Sequence, residues 1–389
     1  MKVLYDHQIY TSQKYGGISR YFTQIIKYLP GDIQTEISIK FSDNEYLKNT
    51  NLVPFLDCNF TPYRALDQMI FGLKFKGKKK ILNLFYNKSI NQYIDSWELN
   101  KQYSIEKLKQ QDFDVFHPTY YDTYFLDYIG RKPFVLTIHD MIHELYPEIV
   151  FDIDTIDAKA KLARKANHII AVSERTKQDI IDILKIPEKK ISVIYHANSL
   201  IDPVSKISLI NMPNKFILFV GEREGYKNFL FMVEGLIQIL NDIPDLYVVC
   251  TGRSFSLKEE KFMKNLHIYE RFITLSLDDL GLSQLYKNAI CLIFPSYYEG
   301  FGIPIVEAFN FGCPVLASKT SCFKEIAHDA ALFFDPKNIN EISILIRNVL
   351  DNEDKRKELI QKGIERNNEF SWDLSAQKTS YVYKSVLSL

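Results

Sequence analysis

Two glutamates, Glu299 and Glu307, carry the clearest chemistry in this chain. They stand in the stretch Ile293 to Ser318, IFPSYYEGFGIPIVEAFNFGCPVLAS. The apolar run ending near Phe294 predicts a strand, and Ile303-Pro304 predicts the start of a helix that Gly312 ends. Proline suits the first helical position, and glycine suits the left-handed position after the last turn. On this reading Glu299 lies in the loop Pro295 to Gly302 and Glu307 in the first turn of the helix, so both carboxylates sit beside unpaired backbone N–H groups. Such N–H groups, with the helix dipole, bind phosphate or another anion. Gly300 and Gly302, flanking Phe301, let a ligand approach the main chain closely. Carboxylates accept hydrogen bonds from sugar hydroxyls while amides hold a diphosphate, so the ligand class carries both hydroxyls and phosphates. The plainer alternative is a strand–loop–helix connection in which Glu307 only complements the dipole.

Three further segments place polar groups at the carboxyl ends of expected strands, where ligands of doubly wound sheets bind. Lys215 to Val220 predicts a strand, followed by a loop with Arg223, Lys227 and Asn228 and by a helix from Phe229. Two cations in a glycine-containing loop suit a diphosphate, Arg223 as a fork and Lys227 as a point charge. Lys2 to Tyr5 predicts the first strand, and Gly16-Gly17 precedes a helix whose apolar positions Ile18, Phe22, Ile25, Ile26 and Leu29 recur at helical spacing. Pro133 to Ile138 predicts a strand running into His139, which can bond a sugar hydroxyl or a developing charge. His117, at the end of another expected strand, and His143 are weaker candidates of the same kind.

Composition narrows the class. The chain has 389 residues, enough for two cores, with 48 basic and 48 acidic side chains, so no basic field points to nucleic acid. Its 5 cysteines are scattered without CxxC spacing, which indicates a reducing compartment and no structural zinc. MKVLYDHQIY reads as a strand and no signal peptide, and no apolar run approaches a membrane span. A cytoplasmic protein is the expectation. The one strongly basic run, Phe71 to Phe85, interleaves lysines with apolar residues. It suits a solvated helix face, or peripheral contact with an anionic membrane surface.

The string from Pro295 to Ser318 resembles the E-x7-E signature of retaining, GT-B-fold glycosyltransferases of family 4, roughly PS-x-x-EGFG-x-P-x-x-E-A-x-x-x-G-x-P-V-x-x-S, throughout its length. Lys227-Asn228 matches the family's G-x-x-x-x-R-K-N loop, although Tyr226 stands at the usual arginine and the arginine comes earlier, at Arg223. TIHD around His139, the Gly16-Gly17 loop, and ANHIIAVSERTKQDI with LKIPEKKISVIYHA resemble further family segments. In the last of these Ser173 is read as a helix cap. The resemblance is weak across residues 45 to 110.

The resemblance implies an α/β GT-B fold of two doubly wound Rossmann-like domains facing across a cleft. Residues 1–205 would form the acceptor side and 206–371 the nucleotide-sugar side, with 372–389 as a helix crossing back to the first domain. It further implies transfer of a hexose from a nucleotide-diphosphate sugar, first of all GDP-mannose, to a saccharide or lipid-linked acceptor in surface-polysaccharide synthesis. Glu307 would bond the ribose, and the amides of Gly300, Phe301 and Gly302 the sugar and pyrophosphate. Gly16, Gly17 and Asn228 would line the donor. Arg223 and Lys227 would neutralise the departing diphosphate without a metal or other cofactor. Glu299 would act near the anomeric carbon, with His139 beside it. Asp152-Ile-Asp154 formally matches the DxD pattern of metal-dependent transferases but lies in a charged loop. An epimerase of the same fold and a non-catalytic partner subunit stand as alternatives.

Overall fold

Short apolar runs alternate with amphipathic stretches along this chain, and they fold into parallel strands joined by helices. The computed structural model describes residues 1–53, 56–58, 61–62, 93–150, 152–202, 212–223 and 225–388. The basic run Phe71 to Phe85 and the expected domain junction at 205–206 lie outside the described residues. The chain divides into two compact units. One comprises Met1–Thr137, Asp157–Ile169 and Ala376–Leu389, and the other Ile138–Ile156 and Ile170–Ser375.

In the first unit, β1 (Lys2–Tyr5) is followed by α1 (Gln8–Ser12), α2 (Gly17–Tyr28) and β2 (Gln34–Ile37). Then come α3 (Ser96–Gln110), capped by Asp95, and β3 (Val115–His117). The strands are parallel in the order β2-β1-β3. Val3, Leu4, Val115 and Phe116 are all buried, as expected where helices cover a parallel sheet. The helical period of α2 turns Tyr21, Phe22, Ile25 and Ile26 inward. Between β1 and the Gly16-Gly17 pair the chain forms α1, with Ile9 and Tyr10 drawn into the core.

The last helix, Trp372–Leu387, returns to this sheet. The Tyr383 hydroxyl lies 2.7 Å from that of Tyr5 and 2.6 Å from His117 Nδ1, and His117 Nε2 lies 2.9 Å from Thr137 Oγ1. His117 is thus a buried tie between strand and helix, which accounts for it without a ligand. Burial holds its imidazole neutral, at a pKa of about 3.

Beyond β3 come β4 (Val135–Ile138), α4 (Ile153–Lys165), β5 (His168–Ala171), α5 (Glu174–Leu184) and β6 (Ile191–Val193). The strands form a sheet in the order β4-β5-β6. The second unit continues with β7 (Lys215–Phe219), α6 (Phe229–Gly235), β8 (Leu246–Thr251) and α7 (Leu257–Asn265). It goes on through β9 (Phe272–Leu275), α8 (Asp279–Asn288), β10 (Cys291–Phe294) and α9 (Ile303–Asn310) to β11 (Val315–Ser318) and β12 (Ala331–Phe334). These six strands are parallel in the order β9-β8-β7-β10-β11-β12. Ile217, Phe219, Val248 and Leu316 from the sheet pack with Phe229, Met232 and Val233 of α6 in one core. The strand order reverses between β7 and β10, so the carboxyl ends of those two strands mark the switch point where doubly wound sheets bind ligands.

Candidate functional site

The loops leaving β7 and β10 meet at that switch point. The Tyr297 amide donates to the Tyr226 carbonyl at 2.9 Å, joining the two loops through their backbones. One residue further along, Lys227 Nζ lies 2.5 Å from Glu299 Oε1, and both side chains are largely shielded, at 14% and 17% exposure. The Ser296 hydroxyl donates to the same Glu299 oxygen at 2.8 Å. Lys227 also lies over the Tyr226 and Phe294 rings, at 5.2 and 5.6 Å from their centroids. Largely shielded and set against aromatic faces, the pair is stronger than an exposed one.

The backbone after Glu299 is fixed residue by residue. Ser321 Oγ donates to the Glu299 carbonyl at 2.6 Å and lies 3.2 Å from its amide. The Gly300 carbonyl accepts from Ser173 Oγ at 2.6 Å and from Thr176 Oγ1 at 3.2 Å. Gly300 presses on the backbone of His139, and a Cβ there would lie 1.6 Å from the His139 carbonyl oxygen. The Phe301 ring is buried 5.0 Å from His196, 5.9 Å from Tyr195 and 5.7 Å from Phe370, centroid to centroid. Gly302, at φ +88°, then opens α9, and Gly312, at φ +66°, follows its end, as the sequence predicts. Among the described residues, the amides of Gly300, Phe301 and Gly302 donate to no protein acceptor. Together with the amino end of α9 they form an edge of open amides, a type of edge that can take an anion or a hydroxyl oxygen.

Glu307 departs from its expected place. Since α9 begins at Ile303, Glu307 falls in the second turn, beyond the open amides, and Pro304 holds the second helical position. The carboxylate is buried, and its Oε2 accepts from the Tyr286 hydroxyl of α8 at 2.9 Å. Of the two acids, only Glu299 stands before the helix. Glu307 is held as an acceptor one turn deeper.

Arg223 is placed differently from Lys227. Its side chain is fully buried, with Nε 3.1 Å from Glu259 Oε1 and further donors on the carbonyls of Thr251, Arg253 and Ser254. The guanidinium lies over the Phe255 ring at 4.9 Å. Four of its five N–H donors meet protein acceptors, which fixes the Arg223 loop to the start of α7. Asn228 takes left-handed backbone at φ 55°, and its amide donates to the Pro336 carbonyl at 3.2 Å. That bond ties the Lys227 loop to the segment after β12.

His139, just past β4, is buried, with its ring 5.9 Å from that of His196. His143 lies on a short helix, its Nδ1 4.0 Å from Asp140. Gly16 and Gly17 lie in the first unit at the start of α2, where Gln13 Oε1 accepts from the Ser19 amide at 3.2 Å. Asp152 accepts from the Thr155 amide and hydroxyl at 3.1 and 2.8 Å, so the DxD look-alike is the start of α4, with Asp152 just before the helix and Asp154 in its first turn. Ser173 does cap α5, accepting from the Thr176 amide at 3.0 Å, and its hold on Gly300 is an addition that sequence spacing does not reveal. Ser296 was legible as part of the string before Glu299. Nothing local marks Tyr286 or Ser321.

Two family models match the chain: "Glycosyl transferases group 1" over residues 201–366 and "Glycosyltransferase Family 4" over residues 83–197. The O-antigen chain mannosyltransferase RfbU of Salmonella typhimurium is 26% identical over 218 residues, which is 55% of this chain and 60% of the relative. The match therefore spans less than two thirds of that relative's length. A glycosyltransferase of Methanocaldococcus jannaschii described as uncharacterized is 27% identical over 319 residues, 75% of this chain and 80% of its own. Among solved structures, Anabaena HepE in complex with UDP-glucose superposes with a TM-score of 0.68 at 18% identity, covering 99% of this chain and 100% of that one. The fold is GT-B, with parallel α/β sheets in Rossmann-like domains.

Proposed function

We propose that this chain, which belongs to the group 1, family 4 glycosyltransferases, moves a mannosyl unit from a nucleotide-diphosphate sugar to a saccharide or lipid-linked saccharide. The pathway would be assembly of a bacterial surface polysaccharide, with anomeric configuration retained. The observation that carries the reading is the Lys227–Glu299 pair set before the open amides of Gly300 to Gly302. When a donor enters, Lys227 exchanges its carboxylate partner for a phosphate oxygen, and Glu299 turns to the sugar near its anomeric carbon. As the bond to the diphosphate breaks, Lys227 and the α9 amides stabilise the charge that develops, the largest electrostatic demand of the step. Glu307, steadied by Tyr286, accepts from the ribose hydroxyls, and His139 stands over the sugar. Arg223 keeps the Lys227 loop in place and takes no phosphate.

GDP-mannose is the first donor to test, since RfbU is a mannosyltransferase, and UDP-glucose the second, since HepE is seen with it. The experiment measures nucleotide-sugar binding and hydrolysis over GDP-, UDP-, ADP- and dTDP-sugars, with Lys227→Ala and Glu299→Ala alongside. Release of one nucleoside diphosphate, lost in both variants and undiminished by a strong chelator, supports a metal-independent transferase. A sugar epimerised with no diphosphate released points instead to an isomerase of this fold. Absence of all binding points to a non-catalytic subunit. Among the described residues, no helix is long and apolar enough to cross a membrane. Peripheral contact through Lys76, Lys78, Lys79 and Lys80 is tested by changing all four to Gln, and unchanged binding to anionic liposomes removes it.

A further inference from the structure

The amide of Phe301 owes its direction to two hydroxyls on another element. The Gly300 carbonyl and the Phe301 N–H belong to one peptide unit, which is planar and trans, so they point in opposite directions. Whatever fixes the carbonyl therefore aims the amide. Ser173 Oγ at 2.6 Å and Thr176 Oγ1 at 3.2 Å fix it, and both side chains are fully buried.

The proton count agrees. The Thr176 amide donates to Ser173 Oγ at 3.0 Å, and the single hydroxyl proton of Ser173 has two acceptors in reach, Thr176 Oγ1 at 3.1 Å and the Gly300 carbonyl, which is the nearer at 2.6 Å. The Thr176 hydroxyl proton goes to the carbonyl's second lone pair. Neighbouring contacts leave the peptide little freedom to rotate. Ser321 holds the Glu299 carbonyl on one side, the Phe301 ring is packed on the other, and the His139 backbone lies against Gly300.

We propose that Ser173 and Thr176 are positioning residues for glycosyl transfer, aiming the Phe301 amide at the donor by holding the Gly300 carbonyl from behind. The proposal rests on the donor site described above and adds to it a pair of residues that touch neither donor nor acceptor. A helix cap alone explains Ser173, but it does not explain why the Thr176 hydroxyl meets the same oxygen.

The variants separate the two roles. Ser173→Thr keeps the cap acceptor and the hydroxyl proton. Ser173→Asp keeps the cap acceptor, a good one at that position, but brings no proton to Gly300. Thr176→Val removes one donor, leaves the cap untouched and conserves shape. With the nucleotide sugar that the wild-type protein uses, the expected result is a kcat about tenfold lower for Thr176→Val and lower still for Ser173→Asp. Ser173→Thr stays within about twofold of wild type, and the Kd for the free nucleoside diphosphate stays within about twofold in all three. A purely capping role predicts instead that Asp and Thr restore activity equally and that Thr176→Val is silent, and that result overturns the proposal. If Ser173→Asp fails to fold, Thr176→Val alone decides, judged at an unchanged unfolding midpoint. A wild-type protein that turns over no nucleotide sugar removes the transferase reading itself, which is a different failure from an active protein indifferent to these substitutions.

Discussion

Gly300→Ala tests most directly whether the loop after Glu299 works through backbone placement. An added Cβ would lie 1.6 Å from the His139 carbonyl oxygen, 2.8 Å from its carbon and 3.3 Å from the Asp140 Cα. All three are backbone atoms, so no rotamer change relieves the contact. Real Cβ atoms do not approach closer than 3.0 Å, so the loop or the end of β4 must shift by about 1.4 Å, the difference between 3.0 and 1.6 Å. A displacement of about 1 Å at a reacting centre costs roughly a hundredfold in rate, or about 2.7 kcal/mol of barrier. The expected result is a kcat for nucleotide-sugar turnover about a hundredfold below wild type. Gly312→Ala is the control. It too is strained, at φ +66°, but its Cβ would meet only the Ile360 side chain at 3.3 Å, at the far end of α9. That variant should lose about 1 kcal/mol of stability and keep its kcat. The assay pairs steady-state release of nucleoside diphosphate with the thermal midpoint of each protein. A folded Gly300→Ala enzyme with wild-type kcat refutes the reasoning, because the contact would then be relieved without moving anything that matters.

Lys227→Ala should weaken binding of the free nucleoside diphosphate by roughly ten- to hundredfold, the worth of a charge-assisted hydrogen bond of about 1.5–3 kcal/mol. Calorimetry measures it, and a Kd within twofold of wild type takes Lys227 off the phosphates. Arg223→Ala should act on stability, because it leaves the Glu259 carboxylate buried without its cation at a cost of about 3–5 kcal/mol. Denaturant unfolding reads this loss, and a variant of full stability that has lost nucleotide binding would restore Arg223 as a phosphate fork. Burial holds His117, and burial with nearby Lys101 holds His7, at a pKa of about 3, against an ordinary value near 6.5. Above pH 6.5 both states are neutral and nothing is lost. Below it the unfolded chain takes up protons that the folded chain refuses. Stability therefore falls by about 1.4 kcal/mol per pH unit per histidine down to about pH 3. Unfolding titrations at pH 7, 6 and 5 check the slope, which His117→Gln should make shallower, and a flat profile contradicts it.

The strands and the loop–helix string around Glu299 were legible because their signals are local. KVLY at β1 is a short, mostly apolar run of the kind that parallel sheets bury, and its ends agree with the structure. Ser173 before Glu174 announced α5 to the residue. What could not be read is which of two distant partners a polar side chain takes. A cation in a glycine loop looks the same whether it faces a phosphate or an acid of its own fold. For Arg223 that acid, Glu259, lies 36 positions on. There was nonetheless a signal, since Ser256 and Glu259 have the spacing of a capping box. A glutamate already engaged at a helix start, behind the next strand of the sheet, is a natural partner for an arginine leaving the strand beside it.

Ser173 poses the same problem in reverse. Its cap is written three residues away, but its second partner, Gly300, lies 127 positions off. The two observations belong together. A capped helix start presents fixed hydroxyls at its edge, and a glycine without a Cβ is the residue whose carbonyl can come within reach of them while its other side rests on His139. The glycine after Glu299 is therefore required from two sides at once, by the hydroxyls that hold its oxygen and by the backbone that leaves no room for a side chain. The same demand explains why a site that depends on amide direction is built where β4, α5 and the β10 loop converge, since one of these elements alone could not fix the peptide.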